Sequence, residues 1–187
     1  RRELVAVVCL GADRHFVHLD DGVGGTGLQS RREEHLAEGL PEQPGPESYR
    51  ANMLNIIRLL KDQTAARIAV TSNPVLGEDL ASVANDRTRN YSSMLFQLAV
   101  QEGITYLPLH ERQEEYLRRT GRDSGRPHDA DSTLMWTSIF RHYVFRRDFE
   151  SISAENGFAL TTEGLHLNEA GAVMMADLVE SFLRESA

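Results

Sequence analysis

Continuously apolar runs alternate along this chain with segments of helical periodicity. Residues 4–10, rich in valine and stopped at Gly11, read as a strand buried on both faces. A second such run is Arg67-Ile68-Ala69-Val70-Thr71-Ser72, ended by Asn73-Pro74. A third is Ile104-Thr105-Tyr106-Leu107, stopped by Pro108, and Gly157-Phe158-Ala159-Leu160 offers a short fourth. Between them Tyr49, Met53, Ile56, Ile57 and Leu60 recur at three- and four-residue steps, as do Tyr91, Leu95, Leu98 and Ala99, with Gly103 placed as a helix C-terminal glycine. Residues 134–152 read as one long amphipathic helix. Asn168 is expected to cap a terminal helix whose buried stripe is Ala170, Val173, Met174, Ala176, Leu178, Val179 and Phe182.

Strands alternating with long helices predict an α/β fold with a mostly parallel sheet, and no repeat or second domain interrupts residues 1–187. Two polar excursions remain. Residues 12–46, with six glycines and three prolines, exceed a routine connection, and residues 120–133 form another polar stretch. The 187 residues suit one ordinary domain.

Composition narrows the partners. The formal charge of −8 argues against a general nucleic-acid or anionic-membrane surface. Lys61 is the one lysine among 20 basic residues, a skew that fits codon bias better than a set of carboxylate or phosphate contacts. Cys9 cannot form an intramolecular disulfide and reads as a buried small hydrophobe. No apolar stretch approaches the ~18 residues of a membrane span. Arg1-Arg2-Glu3 and the apolar run behind it lack a signal peptide's cleavage region, so a targeting segment would lie upstream of Arg1 and the compartment stays open.

The segment richest in chemistry is Thr161-Thr162-Glu163-Gly164-Leu165-His166-Leu167-Asn168. A carboxylate three residues before a histidine can reach the imidazole Nδ1, set its tautomer and leave Nε2 to accept a proton. That is the base half of a hydrolytic triad; the bland alternative is two exposed loop residues.

This block, followed by Glu169-Ala170-Gly171, resembles the last signature of the SGNH or GDSL esterases and lipases, Asp-x-x-His before a closing helix. Val7-Val8-Cys9-Leu10-Gly11-Ala12-Asp13-Arg14 resembles the family's strand ending in Gly-x-Asn-Asp. Ser72-Asn73-Pro74 with Leu76-Gly77-Glu78, and Tyr106-Leu107-Pro108-Leu109, resemble the two loops that follow, in the family order. The resemblance implies a three-layer α/β/α sandwich of flavodoxin-like type, ester hydrolysis by serine acyl transfer, and no cofactor. Catalytic His166 and Glu163 and an oxyanion hole at Gly11 and Asp13 are likewise implied, with no metal. A short acyl ester, an acetylated sugar or a lysophospholipid would be the substrate.

Three departures accompany the likeness. No strand-end Gly-Asp-Ser occurs; Asp123-Ser124 reads as a coincidence inside a polar loop. The nucleophile and opening strands are therefore expected upstream of Arg1, and residues 1–187 alone, with an unpaired sheet edge, are expected to associate or dissolve poorly. Asp13 replaces the oxyanion asparagine, and an anion there opposes charge that a donor would stabilise by ~3 kcal/mol. Glu163 replaces aspartate, a substitution that Ser-His-Glu triads tolerate. The alternative is a non-catalytic binding or scaffold module of the same fold.

Other constellations are weaker. Gly22-Val23-Gly24-Gly25-Thr26-Gly27 satisfies the dinucleotide fingerprint, but the preceding strand ends at Leu10, so a flexible glycine-rich loop is the better account. His15, His18, Asp20 and Asp21 lack helical ligand spacing, and His128 with Asp129 and Asp131 is weaker still. His35, His110 and His142 show no partner pattern. Trp136, Phe140, Tyr143 and Phe145 fit helix core packing better than an acyl pocket.

Overall fold

A computed structural model describes residues 5–8, 45–128 and 133–185. Cys9, Gly11, Asp13, the His15/His18 cluster, the glycine-rich run 22–27, His35, Asp129 and Asp131 lie outside the described residues. Strands β1 (Val5–Val8), β2 (Arg67–Thr71) and β4 (Thr105–Leu107) form a parallel sheet in the order β1-β2-β4. Val5 faces Arg67 and Val8 faces Val70; Ala69 faces Thr105 and Thr71 faces Leu107. Strands β3 (Gly77–Asp79) and β5 (Ser124–Pro127) pair antiparallel as a second, two-stranded sheet.

Alternation along the parallel strands explains where the helices go. Val8, Val70 and Tyr106 point to one face, where Met53 of α1 (Pro46–Gln63) and Leu95, Leu98 and Ala99 of α2 (Val83–Glu102) pack on them. Val7, Ala69 and Leu107 point to the other, under Leu178, Val179 and Phe182 of α6 (Glu169–Arg184). Both faces are buried, so these strands read as unbroken apolar runs rather than alternating ones. A third cluster, Val75, Leu80, Leu117 and Leu160, seats the loops above the strand ends on α3 (Leu109–Arg119). The fold is thus α/β with a small, mostly parallel sheet.

Helix ends follow local chemistry. Ser82 caps α2 by accepting from Asn85 N, and Gly103 closes it in the left-handed conformation at φ +61°. Asn168 caps α6 by accepting from Gly171 N at 3.1 Å. Among the described residues, no helix is long and apolar enough to cross a membrane.

Several expectations are corrected. Residues 134–152 are two helices, α4 (Thr133–Phe145) and α5 (Phe149–Asn156). Arg146 takes a positive φ of 52° between them, and Asp148 restarts the chain as an N-cap, accepting from Ser151 N at 2.8 Å. Residues 157–160 are not a strand, because the N–H groups of Ala159 and Leu160 donate to the Glu78 carboxylate rather than to a ladder. Asp123-Ser124 is not in a plain loop: Ser124 opens β5 opposite Asp79. Trp136, Phe140, Tyr143 and Phe145 are exposed rather than core. Helix α4 is apolar on two faces, and it turns Leu134, Met135, Ser138 and Ile139 inward instead. In α6 the stripe is narrower than its periodicity: Phe182 is buried, Met174, Leu178 and Val179 are half-buried, and Ala170, Val173 and Ala176 are exposed.

Candidate active site

The segment 160–168 forms a closed loop between α5 and α6. Asn168 N donates to Leu160 O at 3.0 Å, Thr162 N donates to His166 O at 2.8 Å, and Thr161 and Leu167 form an antiparallel bridge. Gly164, at φ +90°, makes the turn at its tip. A Cβ there would lie 3.2 Å from the Phe158 ring and in contact with Gly77, so glycine suits both the conformation and the packing. Helix α5 holds the loop from beneath. Ser153 Oγ donates to Thr161 O at 2.7 Å, Asn156 Nδ2 donates to Thr162 O at 2.9 Å, and Asn168 Nδ2 donates to Ser153 Oγ at 2.9 Å. Strand β3 holds its other side through Gly77 N, which donates to Gly164 O at 2.7 Å.

This scaffold brings Glu163 and His166 together. His166 Nδ1 donates to Glu163 Oε1, and His166 N donates to the same oxygen at 3.1 Å. The acid is buried, its side chain 5% exposed, whereas the histidine side chain is 65% exposed. Binding at Nδ1 leaves Nε2 as the nitrogen able to take a proton. The Glu163 hydrogen bond holds the His166 pKa above its ordinary value; partial desolvation pulls the other way. Chemically the pair is an oriented general base with a buried anionic partner. Gly11 and Asp13, the expected oxyanion residues, lie outside the described residues.

A second polar cluster escaped sequence reasoning. His110 is buried in α3, with Nδ1 3.2 Å from Asn73 O and Nε2 3.2 Å from Glu114 Oε1. Glu114 also accepts from Arg89 Nε at 2.6 Å and pairs with Arg118 at 2.8 Å. Burial drives the His110 pKa below its ordinary value, while Glu114 and Glu111 work against that. The His110–Glu114 spacing of four residues was the available signal. Ser72 Oγ joins this cluster, donating to Glu111 Oε2 at 3.1 Å and accepting from His110 N at 2.8 Å, and is fully buried. The cluster ties β2 to α3, with Ser72, His110 and Glu114 buried. His142 is taken up locally, with Nδ1 2.8 Å from Arg147 O and its ring stacked on Phe149.

Among the described residues no three His, Cys, Asp or Glu side chains converge as metal ligands. A cavity of about 380 Å³ is lined by Glu78, Arg122, Ser124, Gly125 and Phe158 among others, but not by Glu163 or His166.

In fold, the chain resembles an esterase. An acetyl xylan esterase, AlAXEase, matches with a TM-score of 0.58 at 14% identity, over 95% of this chain and 65% of that one. The chain thus spans about 65% of that protein's length. No protein-family model and no curated protein sequence matches it. The likeness therefore speaks for the fold, and chemistry has to be argued from the side chains.

Proposed function

We propose that residues 1–187 belong to one SGNH-type ester hydrolase domain, a three-layer α/β/α sandwich, in which His166 is the general base and Glu163 its orienting acid. One observation carries this reading: an exposed imidazole is joined to a buried carboxylate in the loop before the last helix, on a fold similar to an esterase. This reading requires a nucleophilic serine; among the described residues no serine hydroxyl is hydrogen-bonded to the His166 ring, and Ser72, just past the carboxyl end of β2, is fully buried.

The chemistry is two-step acyl transfer. His166 Nε2 takes the serine proton as the oxygen attacks the ester carbonyl, and Glu163 stabilises the imidazolium that forms. On this reading the oxyanion hole would fall to backbone amides near Gly11, with Asp13 standing for the family asparagine. His166 then returns its proton to the departing alcohol, and water, activated by the same nitrogen, releases the acyl group. Carboxylic esters are the substrate class, and the structural neighbour, an acetyl xylan esterase, makes an acetyl ester the first probe.

The test compares turnover of para-nitrophenyl acetate and butyrate by the natural gene product and its His166→Ala variant. A loss of at least ~10²-fold in kcat/KM supports the assignment. The acid limb of the kcat/KM profile should lie above the ordinary histidine value, because the base works deprotonated and its pKa is raised. In Glu163→Gln that limb should move to lower pH while the plateau falls. Equal rates for wild type and His166→Ala, or none for either, would overturn the hydrolase and leave a non-catalytic binding module of this fold.

A further inference from the structure

Glu78 is an unusual residue to find where it is. It stands in the middle of β3 at 1% exposure, and among the described residues no Lys, Arg or His comes within 4.0 Å of its carboxylate. Burying an anion without a cation is costly unless its oxygens are fully hydrogen-bonded. Its oxygens are occupied by backbone alone. Ala159 N donates to both at 2.8 Å, and Leu160 N donates to Oε1 at 2.6 Å. Hydrogen bonds to an ionised acceptor are roughly twice as strong as neutral ones, so this is a stiff clamp.

The place it clamps matters more than its strength. Leu160 is where the closed loop begins, since its carbonyl accepts from Asn168 N. Three residues further on is Glu163, and three beyond that is His166. The neighbouring Gly77 N holds the loop a second time at Gly164 O. Strand β3 therefore grips the loop at its beginning and its tip, on either side of Glu163. Helix α5 adds contacts at Thr161 and Thr162, but those are single neutral bonds.

We propose, resting on the hydrolase reading above, that Glu78 is a positioning residue for His166: its clamp on Ala159 and Leu160 fixes the loop so that Glu163 meets Nδ1 and Nε2 faces the reacting atoms. A structural residue would be indifferent to that pairing. A positioning residue is not, because misplacing a catalytic group by ~1 Å can cost about 10²-fold in rate.

The test reads His166 directly. The natural gene product and its Glu78→Gln variant are titrated by NMR, following the His166 ring resonances and the low-field Nδ1 proton, and their melting temperatures are recorded alongside. Glutamine keeps the shape and can leave its carbonyl oxygen on both amides, but it removes the charge and sets an NH₂ against Ala159 N where Oε2 accepted. The expected result is a His166 midpoint displaced downward toward that of Glu163→Gln, with the low-field proton weakened. Should Glu78→Gln not fold, Glu78→Asp, which keeps the charge but withdraws it by one methylene, is read for the same displacement. An unchanged midpoint and Nδ1 signal in a folded variant, with only the melting temperature lowered, would make Glu78 a plain scaffold residue and overturn the proposal. The readout does not depend on turnover. A displaced midpoint in a protein that hydrolyses no ester would uphold the positioning and sink the hydrolase; His166-dependent hydrolysis with kcat and midpoint unmoved in Glu78→Gln would do the reverse.

Discussion

Gly77 and Gly103 share nearly the same positive φ, +63° and +61°, in very different surroundings, and that contrast allows a clean perturbation. An alanine at either position pays the left-handed penalty of an L residue, roughly 1–2 kcal/mol. At Gly103 the cost should stop there, because an added Cβ meets nothing within 4 Å. At Gly77 the Cβ would stand 2.2 Å from His128 N and 2.6 Å from the Pro127 carbonyl carbon. These are backbone atoms at and just past the end of β5, the partner of β3, so no side-chain rotation relieves the clash and the two strands must part. Overpacking of this kind adds about 1–3 kcal/mol. Gly77→Ala is therefore expected to lose roughly 2–5 kcal/mol, and to exceed Gly103→Ala by about 1–3 kcal/mol. For a domain of this size that excess lowers Tm by roughly 2–12 °C. Urea unfolding followed by far-UV circular dichroism measures both variants against wild type. Equal losses would refute the reasoning, since they would mean that β5 does not press on Gly77 as the pairing requires. A functional signature should accompany the larger loss, because Gly77 N holds the tip of the Glu163–His166 loop. Gly77→Ala should disturb the His166 titration, and Gly103→Ala should leave it alone.

Two further predictions test the core and the second polar cluster. On helix α2, Leu98→Ala removes a fully buried side chain packed with Met53 and Val70 and should cost about 2–5 kcal/mol. Val100→Ala, two residues on and 66% exposed, should stay within roughly 0.5 kcal/mol; comparable urea midpoints for the two would contradict the sheet-facing assignment of Leu98. His110 supplies a pH dependence of definite sign. Burial holds its folded pKa below the unfolded value of about 6.5, so nothing is lost above that pH; below it the unfolded chain binds the proton first and stability falls until the folded pKa is reached. His166 acts oppositely, its raised pKa contributing stability that is complete below the unfolded value and lost as pH rises through the folded one. Tm measured from about pH 8 to 5 should decline on the acid side, and the decline should flatten in His110→Gln; an unchanged slope in that variant would remove His110 as its source.

What could be read along the chain follows from how local each determinant is. Strands β1, β2 and β4 were legible because burial on both faces leaves continuous apolar runs, and α1, α2 and α6 because their stripes and their caps Gly103 and Asn168 lie within a few residues of one another. Helix α3 was passed over: it follows Pro108 directly and its composition is mostly charged, although Leu109, His110, Gln113 and Leu117 make a buried stripe. The pairing of β3 with β5 gave no alternation to read, since Gly77-Glu78-Asp79 and Ser124-Gly125-Arg126-Pro127 lack the apolar residues that mark a strand. Residues 157–160 failed in the opposite sense. Their apolar composition suits a strand, but their backbone donors are claimed by a carboxylate about eighty positions earlier.

The same division runs through the candidate site. The Glu163–His166 contact spans three residues and was visible as a spacing, yet spacing alone describes any solvated loop pair equally well. What separates an oriented base from such a pair is that the acid is buried while the base is exposed, and the loop cannot arrange this by itself. Its turn needs Gly164 at φ +90°, pressed against Phe158 and Gly77; its underside needs Ser153 and Asn156 of α5; its beginning needs Glu78. Four of these contacts, from Gly77, Glu78, Ser153 and Asn156, come from β3 or α5 and join residues 6 to 87 positions apart in the chain. The chemistry of the pair is therefore local and its orientation is tertiary, so a substitution in β3 far from His166 in sequence should alter how the imidazole titrates while leaving the Glu-x-x-His spacing untouched.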